Sequence, residues 1–204
     1  EAWLDLCAGP GGKAALLGAI AAQRGARLVA NEVAEHRARL VRRAVEAVPG
    51  GVVEVRHGDG RDVGQHEPGA YDRVLVDAPC TGLGALRRRP ESRWRRRPSD
   101  LAGLGPLQRE LLGSALDAVR PGGVVAYVTC SPHVAETHLV VEDVVRGRAD
   151  VEVVDARDVV RAVVAGPSGV PARGSSPSGQ PSAGEAHEDS AHTVPSREIE
   201  LADR

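Results

Sequence analysis

The sequence contains no phenylalanine and no methionine, and it has only two tryptophans and two tyrosines among 204 residues. The core must therefore be built from aliphatic side chains, and few aromatic rings remain to stack on nucleobases. The sequence also lacks an apolar run near the roughly 18 residues that span a bilayer, and no leader of basic, apolar and small residues opens it. We therefore expect neither a membrane protein nor a secreted one, but a cytoplasmic protein.

Cysteine is also scarce. Cys7, Cys80 and Cys130 form neither a CxxC pair nor an even-numbered set, so the sequence favours neither a zinc module nor a disulfide framework. No histidine stands at ligand spacing, and we expect no metal site.

Charge is nearly balanced, with 26 basic residues, 28 acidic residues and a net charge of −2. The whole chain is therefore not an electrostatic nucleic-acid binder. The balance fails locally, because seven arginines and a single acid, Glu91, lie between Arg87 and Arg97. Residues 87–97 are called the arginine segment below.

Short runs rich in Val and Leu alternate with longer amphipathic stretches up to about residue 155. The short runs lack polar alternation, which predicts strands covered on both faces. Strands are predicted at 3–7, 27–30, 52–56, 73–76, 124–128 and 151–154, and helices at 13–23, 34–47, 99–119 and 134–146. This order predicts an α/β fold with a mostly parallel sheet, helices on both faces, and ligands beyond the carboxyl ends of the strands.

The pattern stops after Val164. Residues 165–204 are rich in Gly, Pro, Ser and Glu, a composition that cannot bury enough apolar surface to offset its ordering entropy. We therefore predict one folded domain at 1–164 and a disordered tail at 165–204.

A glycine-rich loop follows the first predicted strand and leads into the first helix. Its glycines allow close backbone approach to a ligand, and the helix start presents free N–H groups. The stretch from Gly9 to Ala14 also satisfies GxGxxA, so a dinucleotide fold is an open alternative, as is a tight turn without ligand. A Walker A loop is excluded, because Cys7 replaces its first glycine and Ala14 its Ser/Thr.

Two acids follow the next two strands. Glu32 stands where a carboxylate accepts hydrogen bonds from ribose hydroxyls, and Asp59 stands within reach of an adenine edge. Alone, either acid is a solvated loop residue or a helix cap. In sequence after neighbouring strands, the two outline a nucleoside site.

Two cysteines come directly after the fourth and fifth strands. Cys80 lies in Asp77-Ala78-Pro79-Cys80-Thr81-Gly82 and Cys130 in Thr129-Cys130-Ser131. Both therefore fall on the rim that carries the glycine loop, where a thiolate is a strong nucleophile if nearby groups lower its pKa. Cys7, inside the first strand, reads as a small buried apolar residue.

These motifs, in this order, resemble the Nop2/Sun family of RNA cytosine-5 methyltransferases, and within it the bacterial small-subunit ribosomal RNA type. The resemblance covers about residues 1–146. It is carried by Asp-Leu-Cys-Ala-Gly-Pro-Gly-Gly-Lys, Asp-Ala-Pro-Cys-Thr-Gly-Leu-Gly, Thr-Cys-Ser, Arg88-Arg89-Pro90, Trp94, Arg96-Arg97-Pro98 and Leu107-Gln108. It implies a Rossmann-like methyltransferase fold and, because no second closing strand is found, an incomplete last hairpin. It also implies that the chain is a catalytic-domain fragment of a longer protein.

The resemblance implies S-adenosylmethionine as cofactor and RNA, of the ribosomal kind, as substrate. It makes Cys130 the nucleophile at cytosine C6, gives product release to Cys80, places Asp77 on the N3/N4 edge of the base, and puts Lys13 beside target and cofactor. The residues it assigns to the cofactor are Cys7, Ala8, Gly9, Pro10, Gly11, Gly12, Lys13, Glu32, Asp59, Gly60 and Asp77.

The arginine segment follows the Cys80 turn immediately. A charge run is usually a solvated face, but this one borders the predicted site, which favours phosphate contacts. The residues expected to bind RNA are Arg88, Arg89, Arg93, Arg96 and Arg97. Trp94 is equally compatible with packing and with RNA contact.

We expect a monomeric enzyme, and the alternatives are a nucleotide-binding module without catalysis and an NAD(P)-dependent oxidoreductase.

Overall fold

The computed structural model describes residues 1–95, 97, 99–164 and 197–202, the last six for their backbone only. Its strands form one sheet in the order β3-β2-β1-β4-β5-β7-β6, and every neighbouring pair is parallel. The strands are β1 (Ala2–Asp5), β2 (Arg27–Glu32), β3 (Val53–His57), β4 (Tyr71–Asp77), β5 (Val119–Val128), β6 (Val151–Asp155) and β7 (Arg197–Ala202).

Helices connect the strands, as parallel pairing requires. They are α1 (Gly12–Arg24), α2 (Glu35–Ala44), α3 (Val63–His66), α4 (Ser92–Arg95), α5 (Ser99–Ala118), α6 (His138–Val145) and α7 (Ala156–Val164). Short 3₁₀ turns lie at Gly60–Asp62, Leu83–Ala85 and Val134–Glu136.

The helices cover both faces of the sheet. Successive residues of a strand point to opposite faces, and Trp3 and Leu4 of β1 accordingly belong to two separate apolar clusters. The Trp3 cluster packs beneath α1 and α2, while the Leu4 cluster packs beneath α5 and α6. Burying a leucine such as Leu4, which is 1% exposed, stabilises the fold by roughly 1.5–3 kcal/mol.

The order in which the chain adds strands to the sheet reverses between β1 and β4. From β1 the chain runs outward to β2 and β3, whereas β4 pairs with the other side of β1 and leads to β5. A crevice opens beyond the carboxyl ends of the strands at such a reversal, and ligands bind there in open α/β sheets. The ends that meet at this crevice are Asp5 of β1 and Asp77 of β4.

The predicted α/β architecture is confirmed, with a parallel sheet and helices on both faces. The first five strands and the helices at 13–23, 34–47 and 99–119 appear within a few residues of their predicted bounds. The predicted helix at 134–146 is broken at Thr137, after the 3₁₀ turn.

The far edge of the sheet departs from the prediction. The last hairpin is incomplete, as predicted, since no antiparallel pair forms among the described strands. The difference is that β6 has a partner, because it pairs in parallel with β7, which also pairs with β5. Strand β7 lies inside the segment predicted to be a disordered tail, so that prediction does not hold for residues 197–202. Its sequence places Ile199 and Leu201 alternately with charged residues, a period-2 pattern that indicates a strand. The rest of the predicted tail, 165–196 and 203–204, lies outside the described residues.

Candidate active site

The glycine loop is shaped by contacts that leave no room for larger residues. Gly11 has a φ of 112°, a left-handed conformation that favours glycine. A Cβ on Gly11 would lie 2.7 Å from the Cβ of Ala44 and 2.9 Å from the Cα of Val41, both in α2. Gly12 then opens α1 at an exposed position, so the first N–H groups of the helix point toward the crevice edge.

Glu32 joins the end of β2 to this loop. Its carboxylate is 1% exposed and accepts hydrogen bonds from the Gly9 N–H (3.0 Å), the Ala34 N–H (2.9 Å) and the Arg37 guanidinium (2.7 Å). A Cβ on Gly9 would lie 2.3 Å from Glu32 Oε2, so only glycine fits beside this carboxylate. The structure thus places Glu32 next to the predicted cofactor loop, and Arg37 is a partner that sequence analysis missed.

Asn31 connects the loops that follow β1 and β3. Its side-chain amide donates to the backbone carbonyl oxygens of Leu6 (3.2 Å) and Gly58 (3.1 Å). The backbone carbonyl of Asn31 accepts a hydrogen bond from the Ala8 N–H (2.9 Å). Pro10 lies at the exposed tip of the same loop. Asn31 was not predicted, because an asparagine inside a strand gives no sequence signal for which carbonyls it will reach.

Asp59 and Gly60 lie after β3, as predicted. Asp59 caps the 3₁₀ turn by accepting from the Arg61 N–H (3.0 Å), and the Arg61 guanidinium holds both of its oxygens. These hydrogen bonds from Arg61 lower the pKa of Asp59. Gly60 is buried against Leu6, so it packs on the base of the glycine loop.

Asp5 at the end of β1 is a buried carboxylate that sequence analysis did not single out. It is 0% exposed, and neither carboxylate oxygen has a hydrogen-bond partner among the described residues. Burial, reinforced by the negative charge of Asp77, raises its pKa to about 7, while the charge of Lys13 acts in the opposite direction. A buried acid without a partner is a group that a ligand of the opposite charge would stabilise.

Lys13 and Asp77 form an ion pair across the crevice. Lys13 Nζ, from the first turn of α1, lies 2.6 Å from Asp77 Oδ2 at the end of β4. The two side chains are 49% and 32% exposed, so the pair is accessible to a ligand. Both residues were predicted to lie at the site, and the structure brings them together.

The two predicted active cysteines are in contact. The Sγ atoms of Cys80 and Cys130 lie 3.3 Å apart, Cys80 half-buried and Cys130 exposed. Burial, the hydrogen bond with Cys80 and the negative charges of Cys80 and Asp77 raise the pKa of Cys130 to about 11. At neutral pH Cys130 is therefore a thiol in the free protein and must lose its proton to react.

Cys7 behaves differently from the other two cysteines. Burial and the negative charges of Asp5, Glu32 and Asp77 raise the pKa of its thiol to about 12. The thiol is therefore protonated at neutral pH, which agrees with the prediction that its side chain is inert.

Glu136 joins the turns that carry the two active cysteines. It is 1% exposed and accepts hydrogen bonds from the Thr81 N–H (2.8 Å), the Thr81 hydroxyl and the Gln108 amide (3.1 Å). Gln108 also donates to the Pro79 carbonyl (2.9 Å), and the Thr81 hydroxyl lies 3.2 Å from that of Ser131. Burial acts to raise the pKa of Glu136, but hydrogen bonds from Ser131, Thr81 and Gln108 together lower it. Glu136 is therefore an anion that fixes residues 79–81 against residue 131.

The arginine segment projects from the fold next to this site. The guanidinium groups of Arg87, Arg88, Arg89, Arg93, Arg95 and Arg97 are exposed, and in the described part of the chain none is within ion-pair distance of a carboxylate. Arg96, also predicted to bind RNA, lies outside the described residues.

Among the described residues, no cluster of three or more His, Cys, Asp or Glu side chains suits a metal ion. Among the same residues, no helix combines the length and the apolar character needed to cross a membrane.

Comparison with known proteins gives a family match over most of the chain. The sequence model of the family described as 16S rRNA methyltransferase RsmB/F matches residues 1–167. A Mycobacterium tuberculosis protein with a provisional methyltransferase name is 56% identical over 164 residues, covering 80% of this chain and 35% of that protein.

Two relatives have names that specify a substrate. The mitochondrial tRNA (cytosine(34)-C(5))-methyltransferase of Danio rerio is 41% identical, covering 73% of this chain and 41% of that protein. The ribosomal RNA small subunit methyltransferase B of Klebsiella pneumoniae is also 41% identical, over 64% of this chain and 30% of that protein. The chain thus spans about a third of the length of these relatives.

Two solved structures from Pyrococcus horikoshii share the fold. NSun6 with SFG is 27% identical with a TM-score of 0.63, covering 72% of this chain and 37% of that chain. A methyltransferase homologue is 29% identical with a TM-score of 0.61, covering 74% and 46%. These matches favour the methyltransferase interpretation of the glycine loop over the dinucleotide alternative.

Proposed function

The chain belongs to the RsmB/F family of 16S rRNA methyltransferases, and we propose that it methylates C5 of cytosine in RNA, with S-adenosylmethionine as methyl donor and small-subunit ribosomal RNA as substrate. The observation that carries the proposal is the contact between Cys80 and Cys130, 3.3 Å apart beside the Lys13–Asp77 pair. Two thiols that meet beyond the carboxyl ends of β4 and β5 match the two tasks that this reaction gives to sulfur.

The residues at the rim fit the cofactor electrostatically. Asp5, Glu32 and Asp77 end three of the strands, and Asp59 follows a fourth, so four carboxylates border the crevice. S-adenosylmethionine carries positive charge on its ammonium and sulfonium groups, which carboxylates attract. Three of the four carboxylates already meet cations, Glu32 with Arg37, Asp59 with Arg61 and Asp77 with Lys13. Asp5 has no hydrogen-bond partner among the described residues, and a bound cation would stabilise its ionised form. A Cβ at Gly9 or Gly11 would collide with Glu32 or with α2, so these glycines are needed to hold the loop in its present shape.

The carboxylates and the glycine loop bind the cofactor, whereas the two cysteines take part in the reaction. The cofactor supplies an electrophilic methyl group, but cytosine C5 is a poor nucleophile. Addition of the Cys130 thiolate to C6 forms an S–C6 bond and makes the base enamine-like, so that C5 can take the methyl group. A base then takes the C5 proton, the electron pair of the C5–H bond forms the C5–C6 double bond, and the S–C6 bond breaks to return the Cys130 thiolate. Cys80, in contact with Cys130, assists this release.

Asp77 and Lys13 act on the base during these steps. Asp77 binds the N3/N4 edge and favours the protonated ring, which accepts a nucleophile at C6 more readily. Lys13 holds the Asp77 carboxylate at 2.6 Å, and we place it beside the base and the cofactor. The thiol of Cys130, with its pKa near 11, loses its proton before it attacks, so binding of cationic groups nearby is expected to assist the reaction.

The RNA substrate is supported by charge. Six exposed arginines of the arginine segment have no carboxylate partner in the described part of the chain, and phosphates supply the missing negative charge. The relatives named above act, by their names, on ribosomal and transfer RNA. SFG, bound in the NSun6 structure, is an analogue of S-adenosylmethionine.

Covalent trapping tests the proposal. RNA that carries 5-fluorocytosine cannot lose its C5 substituent as a proton, so an active enzyme stays attached to it under denaturing conditions. The protein, incubated with S-adenosylmethionine and this RNA, is expected to give a shifted band on a denaturing gel. Cys130→Ala should give no band, whereas Cys80→Ala should still give one. Loss of the band in Cys80→Ala but not in Cys130→Ala would reverse the two roles. Absence of any band, together with no thermal stabilisation by S-adenosylhomocysteine, would contradict the proposed function.

A further inference from the structure

Trp94 is the one exposed aromatic side chain in the described structure. Trp3, Tyr71 and Tyr127 are 5%, 3% and 2% exposed, whereas Trp94 is 85% exposed. The sequence left packing and RNA contact equally open for Trp94, and this exposure excludes a packing role within the described fold. A single exposed apolar residue is ordinary in itself, so its surroundings decide what it does.

Those surroundings are cationic, and the described arginines among them form no ion pair with a carboxylate of the described chain. Trp94 stands between Arg93 and Arg95 in α4, inside the arginine segment. Elsewhere in the described chain arginines characteristically meet carboxylates, as Arg109 does with Asp143 at 2.7 Å. An apolar protein surface laid over Trp94 would have to bury several unpaired cations at considerable cost. An aromatic ring attached to a polyanion would satisfy both the indole and the guanidinium groups.

The backbone limits how far Trp94 can lie from Cys130. The Gly84 N–H donates to the Cys130 carbonyl (2.9 Å), and successive turns then lead to Trp94, whose N–H donates to the Glu91 carbonyl (3.1 Å). Ten residues of such turns span on the order of 20 Å or less, at about 1.5–2 Å per residue. A few nucleotides of single-stranded RNA cover that distance.

We propose that Trp94 is a stacking platform for an unpaired base of the RNA, a few nucleotides from the cytosine that reacts. The inference rests on the proposed RNA methyltransferase function and specifies its substrate: the RNA is single-stranded where it crosses α4, because a paired base keeps its faces stacked within the duplex. The arginines hold the phosphates and the indole holds the base, a combination that proteins use for single-stranded nucleic acid.

The scarcity of aromatic residues makes the test direct, since Trp94 and Trp3 are the only tryptophans. The fluorescence of the Trp94→Ala protein reports Trp3 alone, and its difference from the wild type reports Trp94. Titration with an unstructured RNA oligonucleotide is expected to quench the Trp94 signal, and the same oligonucleotide annealed to its complement is expected to quench it far less. Trp94→Ala should bind the single strand roughly 5- to 100-fold more weakly, while Trp94→Phe recovers part of the affinity and Trp94→Leu does not.

A matched charge variant separates stacking from phosphate contact. Arg93→Ala should keep the quenching of Trp94 but reduce the slope of log affinity against log salt by about 0.7, while Trp94→Ala should leave the slope unchanged. Equal affinity of Trp94→Ala and wild type, or equal quenching by single strand and duplex, would overturn the stacking role. If the stacking role is overturned but the wild type still forms the covalent 5-fluorocytosine complex, the methyltransferase proposal stands without a stacking role for Trp94. If the wild type neither binds RNA nor forms the complex, both proposals fail.

Discussion

The sulfur atoms of Cys80 and Cys130 lie 3.3 Å apart, although 50 residues separate them in the chain. They come from the ends of adjacent strands, β4 and β5, whose register pairs Asp77 with Val128. One sulfur can therefore bond to the cytosine while the other is close enough to assist release of the methylated cytosine.

Removing the Cys80 thiol should trap an intermediate on ordinary RNA. In Cys80→Ala the S–C6 bond to Cys130 still forms, but its cleavage loses assistance. Turnover is expected to fall roughly 10²- to 10⁴-fold, as for loss of a general acid or base. A denaturing gel should show protein attached to unmodified RNA, and the double variant Cys80→Ala/Cys130→Ala should show none. Release at the wild-type rate would assign a different role to Cys80.

The raised pKa of Cys130 predicts a steep pH dependence of its reactivity. With a pKa of about 11, the thiolate is on the order of one molecule in ten thousand at pH 7, and it grows tenfold with each pH unit up to that pKa. Alkylation of Cys130 by iodoacetamide, followed by peptide mass spectrometry, should rise accordingly between pH 7 and 10. Asp77→Asn removes a negative charge and should move the curve to lower pH. A rate independent of pH would show that the thiol is already ionised.

Asp5 predicts a loss of stability as pH rises. Its pKa is about 7 in the folded protein and near 3.8 when unfolded, so between these values the folded state binds more protons. The free energy of unfolding therefore falls as pH rises from about 4 to 7, by a few kcal/mol at most, and stays low above pH 7. Asp5→Asn should be more stable than the wild type at pH 8 and should lose this dependence. Urea denaturation at several pH values measures both effects, and parallel curves for the two proteins would contradict the prediction.

Glu136 should control the geometry of the thiol pair. Glu136→Ala leaves the Thr81 N–H and the Gln108 amide buried without their acceptor, which costs about 2–4 kcal/mol of stability. Glu136→Gln keeps the shape of the side chain and one acceptor oxygen. Its loss of unfolding free energy in urea denaturation should therefore be smaller than that of Glu136→Ala.

A second measurement distinguishes positioning from stability alone. Phenylarsine oxide binds two neighbouring thiols together, so its affinity reports the Cys80–Cys130 separation. Glu136→Gln, still folded, is expected to bind it more weakly than the wild type. Equal affinity would mean that Glu136 stabilises the fold without positioning the cysteines.

Neighbouring glycines offer a matched pair in the cofactor loop. Gly11→Ala places a Cβ 2.7 Å from Ala44 at a left-handed φ and should destabilise the protein by about 1–3 kcal/mol. Gly12→Ala meets nothing within 4 Å and lies at the start of α1, so its stability should be unchanged or raised by up to ~1 kcal/mol. Thermal denaturation compares the two, and equal melting temperatures would contradict the steric argument.

Much of this arrangement was predictable because it follows the direction of the chain through a parallel sheet. Residues at carboxyl ends of strands meet on one rim, which is why Lys13, Asp77, Cys80 and Cys130 could be grouped from sequence. What the sequence could not provide is side-chain partnership across the fold. The hydrogen bonds from Asn31 to Leu6 and Gly58 and the bridge from Glu136 to Thr81 join positions that are far apart in the sequence.

Properties that depend on environment cannot be read from the sequence either. The pKa of Cys130 is raised, because burial, the neighbouring Cys80 and the charge of Asp77 act on it together. Strand β7 was missed because its short alternating stretch follows some thirty residues without periodicity, and composition outweighed pattern in that region.

The four carboxylates around the crevice have a consequence for turnover. Methyl transfer converts a positively charged sulfonium into a neutral thioether, so the spent cofactor has one charge fewer than the molecule that entered. An anionic rim attracts the reactant more than the product, and the difference is largest at low ionic strength. The same acids that gather the donor thereby favour its exchange, and product inhibition should become relatively stronger as salt screens them.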